Sequence, residues 1–220
     1  MRQLLPRLAT LELEGFIPSA LELLRYTKDV ETLTFQEGFE ESNVYAVSLG
    51  LSLNKLKTLT INGHGRSSSA LCAVLTRQPV QLATLVLHRP EHLDLIILSA
   101  HLSSLPLLRH IFILPSTSTP QDPIYAQIDL SKSSITHLTV DSWPSTALLE
   151  RLPLTLHTIE VSTKAALHAV DWEDALGWKR RHAPALKLLT VKFKPSPGLD
   201  WDPEEFLDRL DGYSIEISRC

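Results

Sequence analysis

One spacing of apolar residues recurs along most of this chain and limits what it can fold into. The segment from Leu53 to Ile61 shows it once, with apolar side chains at positions 53, 56, 59 and 61. Apolar residues at 59 and 61 indicate a short strand with one buried face, and those at 53 and 56 indicate a turn that enters it. Because the spacing recurs at intervals of 21 to 30 residues, we expect similar units that stack on one another.

The pattern occurs eight times, and its first residues are 22, 26, 26, 26, 27, 21 and 30 residues apart. A unit this short cannot bury its own apolar side, so neighbouring units must cover one another. We therefore predict an α/β solenoid with about eight parallel strands on one face and helices and loops on the other. The copies begin at Leu8, Val30, Leu56, Leu82, Leu108, Ile135, Leu156 and Leu186.

Most segments between the copies carry helical signals. Ser19 and Glu22 have the spacing of a capping box, which predicts a helix to about Thr27. Apolar residues at helical spacing predict further helices over 42–52, 69–77, 91–103, 145–151 and 171–181. The connection 115–132 contains three prolines and is predicted to be a loop.

The pattern stops near the end of the chain. Pro195 and Pro197 interrupt it, and Asp202 followed by Pro203 is a strong helix start. That helix is predicted to run to about 210 and a last strand to span 213–217. We predict a repeat array over 1–194 and a capping segment over 195–220, which form one structural unit.

Composition narrows the class of protein. With 44% hydrophobic residues the chain is too apolar to be disordered, and a formal charge of −4 gives no general attraction to nucleic acid. Two cysteines cannot form a disulfide framework, which fits a reducing compartment. The longest strongly apolar run, 93–98, is too short to cross a membrane. We expect a cytoplasmic or nuclear protein.

The eight copies resemble the leucine-rich-repeat superfamily, and the unit lengths are nearest to its long strand–helix type. Their irregular spacing is similar to the repeats of fungal-like F-box proteins, although the F-box itself is absent from these residues. The resemblance implies a non-enzymatic module that binds a protein ligand, as the substrate-recognition part of a ubiquitin ligase receptor. Ubiquitin ligase subunits are implied as partners if an F-box lies upstream.

The strand residues that alternate with the leucines must face away from the core, so the alignment also maps a surface. In the middle copies this surface gathers an apolar patch of Val86, Phe112 and Leu114, which we predict to be the binding site for a protein partner. We predict Phe112 to be its anchor. The alternative is that the 115–132 loop covers the patch. The polar residues predicted to border it are His88, His110, His137 and Asp141.

The same alignment places His110 and His137 in one column on neighbouring strands, about 5 Å apart. Protonating both rings would cost Coulomb energy, so a pH-dependent interaction is one hypothesis. The other hypothesis is that His110 and His137 are two ordinary surface histidines.

Signals for chemistry are weak. His88, His92 and Asp94 are ligand types, but the histidines fall on a strand end and a helix start, and we expect no metal site. Cys72 is expected to be buried among helical leucines and inert. No catalytic motif occurs, so we expect no enzyme activity and no cofactor.

Two functions remain open at this point. The first is the protein-binding module described above. The second is the targeting domain of a larger enzyme or nucleic-acid-associated factor, whose active domain lies outside this chain.

Overall fold

A computed structural model describes residues 9–14, 29–36, 53–62, 67–114, 128–140, 148, 150–161, 190–193 and 215–217 of the 220-residue chain. Within these residues, nine strands form one sheet. They are β1 (Thr10–Leu13), β2 (Thr32–Phe35), β3 (Thr58–Asn62), β4 (Thr84–His88), β5 (His110–Leu114), β6 (His137–Val140), β7 (Thr158–Val161), β8 (Thr190–Phe193) and β9 (Ile215–Ile217).

The sheet is entirely parallel, and the order of its strands is the order of the chain. The sheet does not close into a barrel. The eight predicted copies fall on β1 to β8, and β9 lies inside the last strand predicted from the sequence. An α/β fold built on a parallel sheet is thus confirmed.

The register pairs each residue with its counterpart in the next copy. Leu59 lies beside Leu85, and Leu85 lies beside Ile111. All three side chains are fully buried. Alternation along each strand sends these residues to one side of the sheet and their neighbours to the other.

Two helices cover the buried side of β3 to β5. They are α1 (Ser67–Leu75) and α2 (His92–His101), and a 3₁₀ turn (Leu102–Ser104) continues α2. Leu71 and Leu75 of α1 join Leu95 and Leu98 of α2 in the same core as the strand leucines. The helices predicted over 69–77 and 91–103 are therefore confirmed, with small shifts at their ends.

Other predictions fall mainly outside the described residues. These are the helices over 19–27, 42–52, 145–151 and 171–181, the helix after Asp202, and most of the 115–132 loop. The division into an array and a capping segment also stays a prediction.

The same pair of backbone hydrogen bonds recurs at the starts of β2 to β7. The carbonyl oxygen of Lys57 accepts hydrogen bonds from the N–H groups of Ala83 at 2.8 Å and Thr84 at 2.9 Å. The carbonyl of the residue before a strand thus accepts hydrogen bonds from two residues of the next copy. One is the equivalent residue, and the other is the residue that follows it in the chain. The same double acceptance is made by the carbonyls of Ala9, Glu31, Ala83, Arg109 and Thr136.

Arg109 ties two copies together through its side chain. Its guanidinium donates to the carbonyls of Pro106 at 2.8 Å and Leu108 at 3.1 Å, and to Ser134 of the next copy at 3.3 Å. Carbonyls at these turns have no partner in the sheet ladder, so a planar group with several donors satisfies them.

The prediction that Cys72 is buried is wrong, because its side chain is partly exposed. Leu71 and Leu75 turn the adjacent side of α1 to the core, and a residue one step along a helix is rotated by about 100° from its neighbour. The thiol instead lies 3.7 Å from the Thr76 hydroxyl.

None of the helices in the described residues is long and apolar enough to cross a membrane.

Replacing Leu85 by Ala should lower the free energy of unfolding by about 2–5 kcal/mol, because it removes a fully buried side chain between two neighbouring strands. Chemical denaturation measures the change. The matched control is Leu154→Ala, where the side chain is 68% exposed and a loss within about 0.5 kcal/mol is expected. Equal losses in the two variants would contradict this account of the core.

Candidate binding surface

The side of the sheet opposite the helices is called the open face here, and it consists of the strand side chains that alternate with the core. On β2 to β6 most of these side chains are partly exposed. The open face of these strands comprises Thr32, Thr34, Thr58, Thr60, Asn62, Thr84, Val86, His88, His110, Phe112, Leu114, His137 and Thr139.

The structure brings the predicted apolar patch together. Val86 on β4 lies beside Phe112 on β5, and Leu114 follows Phe112 two positions along the same strand. Each of the three side chains is partly exposed. The described residues therefore place an aromatic ring and two aliphatic side chains next to one another on the open face.

The predicted neighbours His110 and His137 are also adjacent, because the register of β5 and β6 places them side by side. Their ring centroids are 4.4 Å apart and the ring planes differ by 26°, so the two imidazoles are stacked. This agrees with the spacing of about 5 Å expected for neighbouring strands.

Thr136 holds the His137 ring on one side. Its hydroxyl oxygen lies 2.8 Å from Nδ1 of His137 and 3.4 Å from the Arg109 carbonyl oxygen. The hydroxyl can accept from Nδ1–H while it donates to the carbonyl, which fixes the orientation of the ring against the strand start.

Thr139 differs from the expectation for its position. It was expected on the accessible side, but only 7% of its surface is exposed. The register places it between Phe112 and Glu160, whose longer side chains shield a short one. The open face at β6 thus presents His137 and not Thr139.

A polar row that the sequence reasoning missed crosses β1 to β3. Asn62 donates to Oε1 of Gln36 at 2.5 Å, and Gln36 donates to the carboxylate of Glu12. Glu12 and Gln36 occupy different positions in their copies, because the register pairs Glu12 with Thr34, so the bond from Gln36 to Glu12 runs diagonally. The sequence signal for this row is the presence of amide and carboxylate side chains on one face of neighbouring strands.

His88 continues this row, since the register places it beside Asn62. Burial lowers the pKa of the His88 imidazole below 6.5, and the positive charge of Arg89 lowers it further. Arg89 itself adopts a left-handed backbone conformation with φ of 51°, and its N–H donates to the Leu114 carbonyl at 2.6 Å. This tight turn keeps the charge of Arg89 next to His88.

The weak metal-ligand spacing does not form a cluster. In the described part of the chain, no three His, Cys, Asp or Glu side chains are grouped so as to hold a metal ion. Asp94 is buried at the start of α2, and its Oδ2 accepts from the Glu91 N–H at 2.6 Å. It therefore serves the helix N-terminus. Asp141, the remaining predicted site residue, lies outside the described residues.

When the pH falls from about 7.5 to about 5.5, the free energy of unfolding should fall more in the wild-type protein than in the His88→Gln variant. The folded state lowers the pKa of His88, so the unfolded chain binds the proton more tightly. The stability due to neutral His88 is complete above pH 6.5 and is lost as the pH falls through the lowered pKa. Urea denaturation at both pH values measures the difference.

The control for this comparison is His92→Gln, an exposed histidine four residues along the chain. The loss of stability between the two pH values should be reduced in His88→Gln and not in His92→Gln. If it is reduced equally in both variants, or is not reduced in His88→Gln, the environment of His88 is not the cause of the pH dependence.

Comparison with known proteins does not assign this chain to a family. No protein-family model matches it, and no curated protein matches it. What can be said of its function rests on the spacing of the copies and on the surface that the parallel sheet presents.

Proposed function

We propose that this chain is a leucine-rich-repeat solenoid whose open face binds another protein. The eight copies and the parallel sheet in chain order support the architecture, because each copy supplies one strand and the helices α1 and α2 lie on the opposite side. In such an array each unit is stabilised mainly by its neighbours, and the strand face offers an extended surface for a partner.

The observation that carries the proposal is the apolar patch of Val86, Phe112 and Leu114. Protein interfaces are depleted of charge at their centre and enriched in aromatic residues. On β2 to β6 the described open face carries no Asp, Glu, Lys or Arg, and the Phe112 ring lies on β5 beside Val86 of β4. Thr84 and Thr60 extend the surface with short polar side chains.

The role in the cell follows from the family resemblance. We propose the substrate-recognition part of an F-box-type ubiquitin ligase receptor, in the cytoplasm or nucleus, with no catalytic activity and no cofactor of its own. The targeting domain of a larger protein is the alternative. The proteins captured by the chain distinguish them, because a receptor should co-purify with ubiquitin ligase subunits when its gene supplies an F-box.

Replacing Phe112 by Ala should weaken the binding of a captured partner by about tenfold or more, since an aromatic anchor at an interface contributes at least about 1.4 kcal/mol. Partners are identified by affinity capture and mass spectrometry, and the affinity of a purified partner is then measured by calorimetry.

The control is Leu154→Ala, which removes an exposed leucine outside the open face. It should leave the affinity unchanged. If Phe112→Ala keeps its circular dichroism spectrum and binds every captured partner as tightly as the wild type does, the open face is not the binding surface.

A further inference from the structure

We propose that the imidazole of His110, backed by the stacked ring of His137, binds a carboxylate of the protein partner. The carboxylate belongs to an Asp or Glu residue of the partner. Two positions along the partner's chain, a residue with a large apolar side chain packs on Phe112. This inference rests on the proposed function of the open face and specifies the chemistry of its ligand.

The stacked geometry favours one positive charge on the pair. The ring centroids are 4.4 Å apart, so two charged rings would repel strongly at this distance. A single imidazolium on the face of a neutral ring is favourable, because the π-electrons of the neutral ring attract a cation. When the His110 ring is charged, an anion at its edge would stabilise that charge further.

His110 is the member that can donate to a ligand. It is partly exposed, and its ring stacks on that of His137. His137 is held on its Nδ1 side by the Thr136 hydroxyl at 2.8 Å. His137 and Thr136 are therefore positioning residues, which fix the plane against which the His110 ring stacks.

The spacing to the apolar patch sets the form of the ligand. His110 and Phe112 lie two residues apart on β5, on the same face, which corresponds to about 6.6 Å along a strand. An extended peptide has the same repeat. An acidic and an apolar side chain two residues apart on such a peptide would therefore reach His110 and Phe112 together.

Among the described residues, few other charged groups lie near the pair. β4 presents Thr84 beside His110, with His88 at the far end of that strand. β7 presents Thr158 beside His137, with Glu160 two positions further and the exposed His157 just before the strand. Arg109 directs its guanidinium to the carbonyls of Pro106, Leu108 and Ser134.

Among the described residues, the two histidines are thus the groups best placed to interact with an anion. A carboxylate is held more strongly by an imidazolium than by a neutral imidazole, so its affinity should rise as the pH falls.

The experiment begins with random displayed peptides of about nine residues, enough to span one strand in extended form. They are selected on the full chain at about pH 6 and then depleted on the Phe112→Ala variant, so that the remaining peptides require the apolar patch. We expect them to share Asp or Glu two residues from a large apolar residue.

The affinity of each selected peptide is then compared with that of its Glu→Gln or Asp→Asn counterpart. Wild-type protein should prefer the acidic form by about tenfold at pH 6 and by less than about threefold at pH 8. His110→Gln should abolish this preference. His157→Gln, the control histidine beside the same surface, should keep it.

The outcomes separate this inference from the proposed function. The carboxylate site is overturned if peptides that require Phe112 bind equally well in their acidic and amide forms. It is also overturned if the preference for the acidic form survives in His110→Gln. Either result leaves the open face as a binding surface. If the depletion on Phe112→Ala removes every peptide selected on the wild type, with both proteins folded, the proposed function fails and the inference fails with it.

Discussion

The carbonyl oxygen that precedes each of the strands β1 to β6 sets the register on which the rest of the sheet depends. By accepting two N–H groups from the next copy, as Lys57 does from Ala83 and Thr84, it fixes where that copy begins to pair. A slip of one residue would move Leu85 from the core to the open face and Val86 from the open face to the core. The apolar interior penalises such a slip, so the backbone bonds and the burial of leucine support the same arrangement.

The open face inherits its order from this register. Residues in equal positions of successive copies become neighbours, which is why His110 and His137 stack although 26 residues separate them in the chain. The face therefore varies from strand to strand only where the sequence does. Between β2 and β3 it pairs threonine with threonine, whereas between β4 and β5 it pairs Val86 with Phe112.

The spacing of apolar residues was enough to predict the strands, their parallel order and the neighbours across them, because burial of Leu59 and Leu85 depends on a period that is visible in the sequence. Features that depend on the size or angle of nearby side chains were not predictable in this way. Thr139 is shielded by longer neighbours, Cys72 is rotated away from the core on α1, and Gln36 reaches diagonally to Glu12. Each needs three-dimensional positions that an alignment of copies does not contain.

Pairing each strand only with the strands before and after it has a consequence for how the chain finds its structure. To join β3 to β4, the chain closes a loop of 26 residues, and the pairing of β4 with β5 requires the same length again. Because the entropic cost of closure rises slowly with loop length, these contacts are about equally easy to form anywhere along the sheet. Assembly can then begin at any well-packed pair of strands and spread outward, at a rate set by local contacts.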